Sequence, residues 1–376
     1  MVRIICEAGK GVNLDYNLLC IKNERIEVRI ATKLRKEVYR MLKGSGQVLR
    51  NSVFNTTILS FAAMFFVTLV VDTSTYANSG KKADSHTAKF SFASNDKGEY
   101  VFDTGVLRGK LRPDGKSLGL SSLIHVPSGV RLNGRYGIFS FYRIFTTNKR
   151  YGHAAWDWPT VSKLLPDGGV QIVWPEGEDH PFEITAIYHL TEETTVDLET
   201  TVKTQKDLQQ FEVFLASYFH ESFPAPYVYA KTNPQTKGKP GFMPAEKSFG
   251  NWQMFPRDED VLRVIRDGRW QKEPNPVNWV IMPYMAAPVC VRRNEAADLA
   301  VVLMAPQEDC FAISTPYRGE GHYSLYLSLF GRDVKAGETV KSCCRLVVAA
   351  DISNQQILEL YQKYTKQFRG RVPSPR

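Results

Sequence analysis

From residue 87 onward, apolar and polar residues alternate with a period of two, and Gly, Pro and Asp interrupt the alternation at short intervals. AKFSFAS at 88–94 and EYVFDTGVLRGKLRP at 99–113 predict strands joined by turns, and VSKLLPDGGVQIVW at 161–174 predicts a hairpin closed by Pro166-Asp167-Gly168-Gly169. At 182–219, FEITAIYHL, TVDLETTVKT and QFEVFLASYF are separated by the polar turns TEET and QKDLQ, and predict a three-stranded meander. NWVIMPYM, APVCVRR, DLAVVLMAP, CFAISTP, HYSLYLSLF and TVKSCCRLVVAA continue the strand pattern to residue 350. Two segments depart from it. DEDVLRVIR at 258–266 reads as a short helix or an edge strand. SNQQILELYQKYTKQF at 353–368 places Ile357, Leu358, Leu360, Tyr361 and Tyr364 at helical spacing behind a Ser/Asn cap. No repeat of 20 to 50 residues is visible, which argues against a propeller or solenoid. The expected fold is all-β, one large antiparallel β-sandwich over 87–376 with one C-terminal helix, and residues 231–257 form a long Gly-, Pro- and Lys-bearing insertion of the kind that carries function.

The N-terminal part has a different texture. Residues 53–71, VFNTTILSFAAMFFVTLVV, contain no charge and follow Arg40, Lys43 and Arg50, the layout of an export signal. Thr75 and Ala77 are small residues placed for cleavage before Asn78; the alternative is an uncleaved membrane anchor over 53–77. Residues 1–52 form a basic extension, and because Met41 opens a conventional signal sequence, Met41 is the expected translation start, with a cytoplasmic tail as the alternative. Residues 78–86, NSGKKADSH, read as a linker. The expected location is therefore outside the cytoplasm: periplasmic, secreted, or held at the outer face by this segment, the chain's one membrane contact.

Charge alters this picture little. The formal net charge is +9, of which residues 1–77 supply +5 through eleven Lys/Arg and six acids. The remainder is spread thinly with no basic, aromatic-interleaved stripe, so nucleic acid is not an expected partner. Cys290, Cys310, Cys343 and Cys344 remain downstream of the signal and leave disulfides or buried thiols open; adjacent Cys343 and Cys344 on a strand face opposite ways. No His-x-His, His-Glu-x-x-His, nucleophile-elbow, phosphate-loop or dinucleotide pattern occurs, so no metal and no cofactor is expected.

VDLETTVKTQKDLQQFEVFLASYF at 196–219, in which two strands flank a polar turn and lead into a Tyr-Phe pair, and HYSLYLSLFGRDVKAGETV at 322–340, read as a closing hairpin, resemble the galactose-mutarotase-like β-supersandwich family of aldose epimerases and sugar-binding or sugar-cleaving enzymes. The resemblance implies a glycan ligand held in a cleft across the concave face of one sheet. In the epimerases a general-acid His precedes the Tyr by two positions. Here that position is Ala216, which cannot transfer a proton, so an ordinary aldose 1-epimerase is disfavoured.

Candidate chemistry lies in three segments. RYGHAAWDWPT offers His153, Trp156 and Asp157, with Trp156 as a ring for stacking on a sugar and Asp157 as a hydroxyl acceptor. YFHESFPAPYVY offers His220 and Glu221 where two prolines end a strand. YRGEGHY offers Arg318, Glu320 and His322 around two glycines, alternate residues able to face one cleft, with Arg318 suited to a sugar acid or sulfate. Arg135 in NGRYG joins them at the rim. His220, Glu320 and His322 are the expected proton-transfer residues; Arg135, His153, Trp156, Asp157, Glu221 and Arg318 are the expected sugar-binding residues. His125, His180 and His189 read as structural. Two functions follow: an exported carbohydrate-binding or carbohydrate-active protein (a lyase, hydrolase or epimerase relative), or a noncatalytic structural or interaction protein of the cell envelope. Oligomeric state stays open.

Overall fold

A computed structural model describes residues 90–112 and 119–368, all within one compact unit, Ala83–Arg376. The basic extension, the export segment with its cleavage position, the Met41 start and the linker 78–86 lie outside the described residues.

Among the described residues the strands form three sheets. A five-stranded sheet runs Ala93–Ser94, Tyr100–Asp103, Leu107–Leu111, Leu120–His125, Val130–Arg131. A nine-stranded sheet has at its centre Met285–Asn294, Leu299–Met304, Thr339–Ala350, Thr195–Thr204 and Phe182–Glu192, in that spatial order. A seven-stranded sheet is centred on Trp252–Pro256, Cys310–Pro316, Ser324–Val334, Leu208–Tyr218 and Ser140–Thr146. Pairing is antiparallel except where Gln253 and Met254 run parallel to Val280 and Ile281. The hairpin expected at 161–174 forms, Val161–Leu164 against Val170–Trp174, and Leu165 closes its turn by donating to the Gly169 carbonyl.

The meander expected at 182–219 is only half present. Phe182–Glu192 and Thr195–Thr204 pair in the nine-stranded sheet, but Leu208–Tyr218 crosses into the seven-stranded one. The closing hairpin expected at 322–340 crosses likewise: Ser324–Val334 pairs with Leu208–Tyr218, and Thr339–Ala350 with Thr195–Thr204. The physical reason is that the two corners hold each other. Gly337 N–H donates to the Thr204 carbonyl (2.8 Å), Ala336 N–H donates to Asp207, and Lys335 pairs with Asp207 at 3.0 Å. Two strand pairs thereby pass together from one sheet to the other, and their apolar faces meet as the core: Val213 and Leu215 pack with Leu198, Val202 and Leu346 in one buried cluster.

The opposite faces are covered too, which is why these central strands are apolar on both sides. On the nine-stranded sheet lies the helix Asn354–Lys366, started as expected by Ser353, whose hydroxyl accepts from Gln356 N–H while Gln356 reaches back. Its Ile357 and Tyr364 pack on Val289, Val291 and Val302. On the seven-stranded sheet, Phe214, Ala216, Tyr218 and Tyr326 project into a second buried cluster, and the segment 258–281 covers them with Val261, Leu262, Ile265 and Trp270. In that cover the region read as helix or edge strand forms a single helical turn, Leu262–Ile265. With both sheet faces covered, Cys343 and Cys344 are each buried; Cys290, Cys310 and Cys344 are free thiols, and burial pushes Cys310 up to about 12.

Candidate functional site

Three segments converge where strand Leu208–Tyr218 ends. Asn133, fully buried, accepts Leu123 N–H (2.8 Å) and donates to the Ser121 and Gly134 carbonyls, which fixes the start of the NGRYG turn. Gly134 N–H then donates to the Tyr218 carbonyl at 2.7 Å. A Cβ at Gly134 would stand 2.6 Å from the Phe219 carbonyl oxygen, so only glycine permits this approach. On the other side Phe219 N–H donates to the Tyr323 carbonyl (3.0 Å), drawing the 317–323 turn alongside. The result is a cleft of about 770 Å³ lined by Arg131, Arg135, Tyr136, Tyr218, His220, Glu221, Glu320, His322 and Tyr323, with Asn133, Gly134, Phe219 and Gly321 completing it.

The cleft's two imidazoles are held in opposite senses. His220 Nδ1 accepts from Ser222 N–H (3.2 Å) and lies 2.9 Å from Ser222 Oγ. An accepting Nδ1 carries no proton, so in the neutral ring the proton is on Nε2 and that atom is a donor. His322 is the reverse. Glu320 grips it twice, one carboxylate oxygen accepting the His322 backbone N–H and the other lying on Nδ1, both at 2.8 Å. In the neutral ring the carboxylate accepts a hydrogen bond from Nδ1–H, which leaves Nε2 unprotonated and able to accept, as an orienting acid does for a catalytic histidine. The Trp252 ring meets the His322 ring edge-on at 5.3 Å and limits its rotation. One cleft thus holds an imidazole that donates a hydrogen bond and an imidazole that can accept a proton.

Beneath these groups Arg292 is fully buried and donates to the Phe223, Pro224 and Ser324 carbonyls, tying the His220 turn to the strand that follows the 317–323 turn. Burial lowers its guanidinium to about 9. Tyr136 forms one wall, parallel to Trp156 (5.5 Å, 2°), which is in turn parallel to Tyr142 (4.4 Å, 2°). Arg135 lies with its guanidinium 5.3 Å from the Tyr136 ring. Tyr218, in the cleft lining, and Tyr326 behind it stay neutral, because burial raises both, Tyr326 to about 12.

Of the sequence candidates, Arg135, His220, Glu221, Glu320 and His322 line this cleft; the other four do not. Trp156 is 9% exposed within the ring stack and offers no open face to a sugar, because Trp174 Nε1 donates to the Ala155 carbonyl and the turn Ala155–Asp157 folds the indole inward. His153 and Asp157 stand 3.8 Å apart at the surface of that turn. Arg318 points to Glu295 (3.7 Å), since Gly319, at φ +84°, reverses the chain and puts residues 318 and 320 on different sides. His125 and His180 are buried, His125 on Ser128 and His180 stacked on Trp158 at 3.8 Å, and burial lowers both; His189 pairs with Asp167. Sequence reading missed Tyr136, Tyr218 and Arg292; the signal for Arg292 was a cation directly following the apolar run Val289–Val291.

No family model matches the sequence, and no curated protein matches it. Among solved structures the chain is similar to a galactose mutarotase-like protein from Lactobacillus casei (10% identity, 67% of this chain and 100% of that one, TM-score 0.44). It is similar to the GalM/aldose epimerase homologue from C. elegans (9%, 69% and 98%, TM-score 0.38). It is also similar to the alpha-N-acetylgalactosaminidase NagBb from Bifidobacterium bifidum in complex with GalNAc (12%, 72% and 39%, TM-score 0.44). The described part of the chain is an all-β, mainly antiparallel sheet protein; what its cleft can do follows from its own side chains.

Proposed function

We propose that this is an exported carbohydrate-active protein of the mutarotase-like class, with a glycan bound in the cleft between NGRYG and YRGEGHY. The observation that carries the reading is the pair of oppositely held imidazoles: His322 Nε2, with Glu320 holding the ring in the accepting tautomer, takes a proton from the sugar and returns it as the imidazolium, while His220 Nε2–H donates a hydrogen bond to the negative charge that develops. Tyr136 and Arg135 supply the ring and the cation that a polyhydroxylated ligand needs at the rim. The reaction class is proton transfer on a sugar, as in epimerisation, elimination or hydrolysis. Export is supported by the uncharged run 53–71 behind its basic flank.

A second reading, glycan binding without turnover, is favoured by one observation: Ala216 stands where the resemblance puts a general acid. A glycan array on the purified protein, followed by turnover assays on each bound glycan, separates the two. Wild-type turnover that His322→Ala lowers at least 100-fold, with binding changed less than about 5-fold, supports the catalytic reading. Binding without turnover supports the second, and absence of any glycan binding sinks both. A reporter fused at residue 85 that stays active in the cytoplasm would refute export.

A further inference from the structure

Away from the acid–base pair, at the far end of the ring stack, two arginines are placed in a way the proposed chemistry does not use. Arg143 is 4% exposed. Its Nη2 donates to the Asn275 carbonyl (2.9 Å) and to the Tyr142 hydroxyl (3.3 Å), while Nε and Nη1 are buried without a hydrogen-bond partner. Arg150, half-buried, donates to the Pro274 and His153 carbonyls and keeps a buried, unpartnered Nε. Both guanidiniums approach the Tyr142 ring, at 4.9 and 5.9 Å. The indole N–H groups of Trp270 and Trp279 are buried and unpartnered in the same cluster. Every orphaned group named here is a donor.

Neither arginine is ion-paired among the described residues, in contrast to Arg269, which meets Glu212 and Asp267, and Arg345, which meets Asp197. Two like charges sunk beside neutral rings are costly, and the deficit is specific: it lacks an acceptor and a negative charge. Burial, and then the charge of Arg143, lower Arg150 to about 10, and Tyr142 and Glu273 offset this only in part. Guanidiniums with unpartnered N–H groups suit an anionic oxygen acceptor such as a carboxylate or sulfate.

We propose that Arg143 and Arg150 form a binding site for the anionic group of an acidic glycan, a carboxylate or a sulfate ester, seated against Tyr142. This rests on the glycan reading above and narrows it. Tyr142, Trp156 and Tyr136 form a continuous stack from the arginines to the cleft wall, so the anion site and the cleft lie at the two ends of one ring stack. Arg150 is half-buried, so part of its side chain lies at the surface next to the buried, unpartnered N–H groups.

The test is titration of the full chain at constant ionic strength with a uronate sugar, a sulfated sugar, inorganic sulfate and the neutral parent sugar, followed by tryptophan fluorescence and calorimetry. The expected result is binding of the uronate or the sulfated sugar at least 10-fold tighter than the neutral one. Arg150→Met should remove that margin and leave neutral-sugar affinity unchanged. Which of the two acids binds tighter identifies the source of the anion. Arg143→Met is the companion variant; because it is deeper, its circular dichroism is checked first, and Arg150→Met decides if it does not fold. Equal affinity for acidic and neutral sugars, or an Arg150→Met protein that keeps the margin, overturns the proposal while leaving the cleft reading intact. Binding of inorganic sulfate without any sugar overturns its glycan part.

Discussion

Removing Arg269 tests what holds the cover 258–281 on the seven-stranded sheet. Its guanidinium is fully buried; Nη1 donates to Glu212 (2.8 Å), Nη2 to Asp267 (2.8 Å) and the Gln210 carbonyl (2.9 Å), and Nε to Asp267. Glu212 is itself 1% exposed and belongs to the sheet, so Arg269 is the electrostatic pin between sheet and cover. Arg269→Met keeps most of the volume but leaves Glu212 buried without its cation, a loss of about 3 to 5 kcal/mol. At about 2 to 4 °C per kcal/mol, the melting temperature should fall on the order of 10 °C. The pH dependence gives the sharper check. Burial raises the Glu212 carboxyl, and Arg269 draws it partly back. A carboxyl raised in the folded state contributes stability below its unfolded value, 4.5, and that contribution is lost as pH rises through the folded value. Without Arg269 the folded value rises further, so the variant should lose more at pH 7 than at pH 4.5 relative to wild type. Urea titrations at both pH values measure this, and the double variant Glu212→Gln/Arg269→Met should recover much of the pH 7 deficit. A deficit that is the same at both pH values, or a double variant no better than the single, would refute the reasoning.

Two further outcomes follow from packing. Gly134→Ala would force its Cβ onto the Phe219 carbonyl and break the bond that sets Arg135 and Tyr136 beside His220, so it should cost about 1 to 3 kcal/mol and weaken glycan binding several-fold, read by thermal melting and calorimetry. Ala216→His, which restores the epimerase residue of the resemblance, should lower stability by about 1 to 3 kcal/mol and give no mutarotation by polarimetry, because Ala216 is fully buried among Phe214, Tyr218 and Tyr326 under the cover.

The strands were legible because period two is a local property: Phe182, Ile184, Ala186, Tyr188 and Leu190 are each buried in turn. Which sheet a strand joins is not local. The crossings after Thr204 and Val334 depend on two turns bonding to each other across more than a hundred residues, and no spacing within either turn records that. The cover was illegible for another reason: Val261, Leu262, Ile265, Trp270 and Trp279 follow no single period, because the chain there passes through a helical turn, a 3-10 turn and a parallel strand. In the site, His220, Glu320 and His322 stood out as polar groups at a strand end and around glycines. Arg318 misled, since strand alternation was carried through Gly319, whose positive φ ends it.

The cover and the cleft bear on the same question from two sides. Along the strand that ends at Tyr218, Phe214, Ala216 and Tyr218 face the cover while Val213 and Leu215 face the inter-sheet core. A general acid at 216 would project into rings and meet no solvent or sugar. Four residues on, about 13 Å at strand rise, the chain has left the covered surface and His220 stands in the cleft. An imidazole that is to act on a bound ligand must reach the cleft, and on this segment residue 220 does so while residue 216 does not. With the sheet face closed by Trp270 and its neighbours, the polar groups lie at the rim, where Glu320 fixes His322 and Ser222 fixes His220. The burial of Ala216 and the position of the imidazoles at 220 and 322 are therefore two consequences of one feature, a sheet face filled with aromatic side chains.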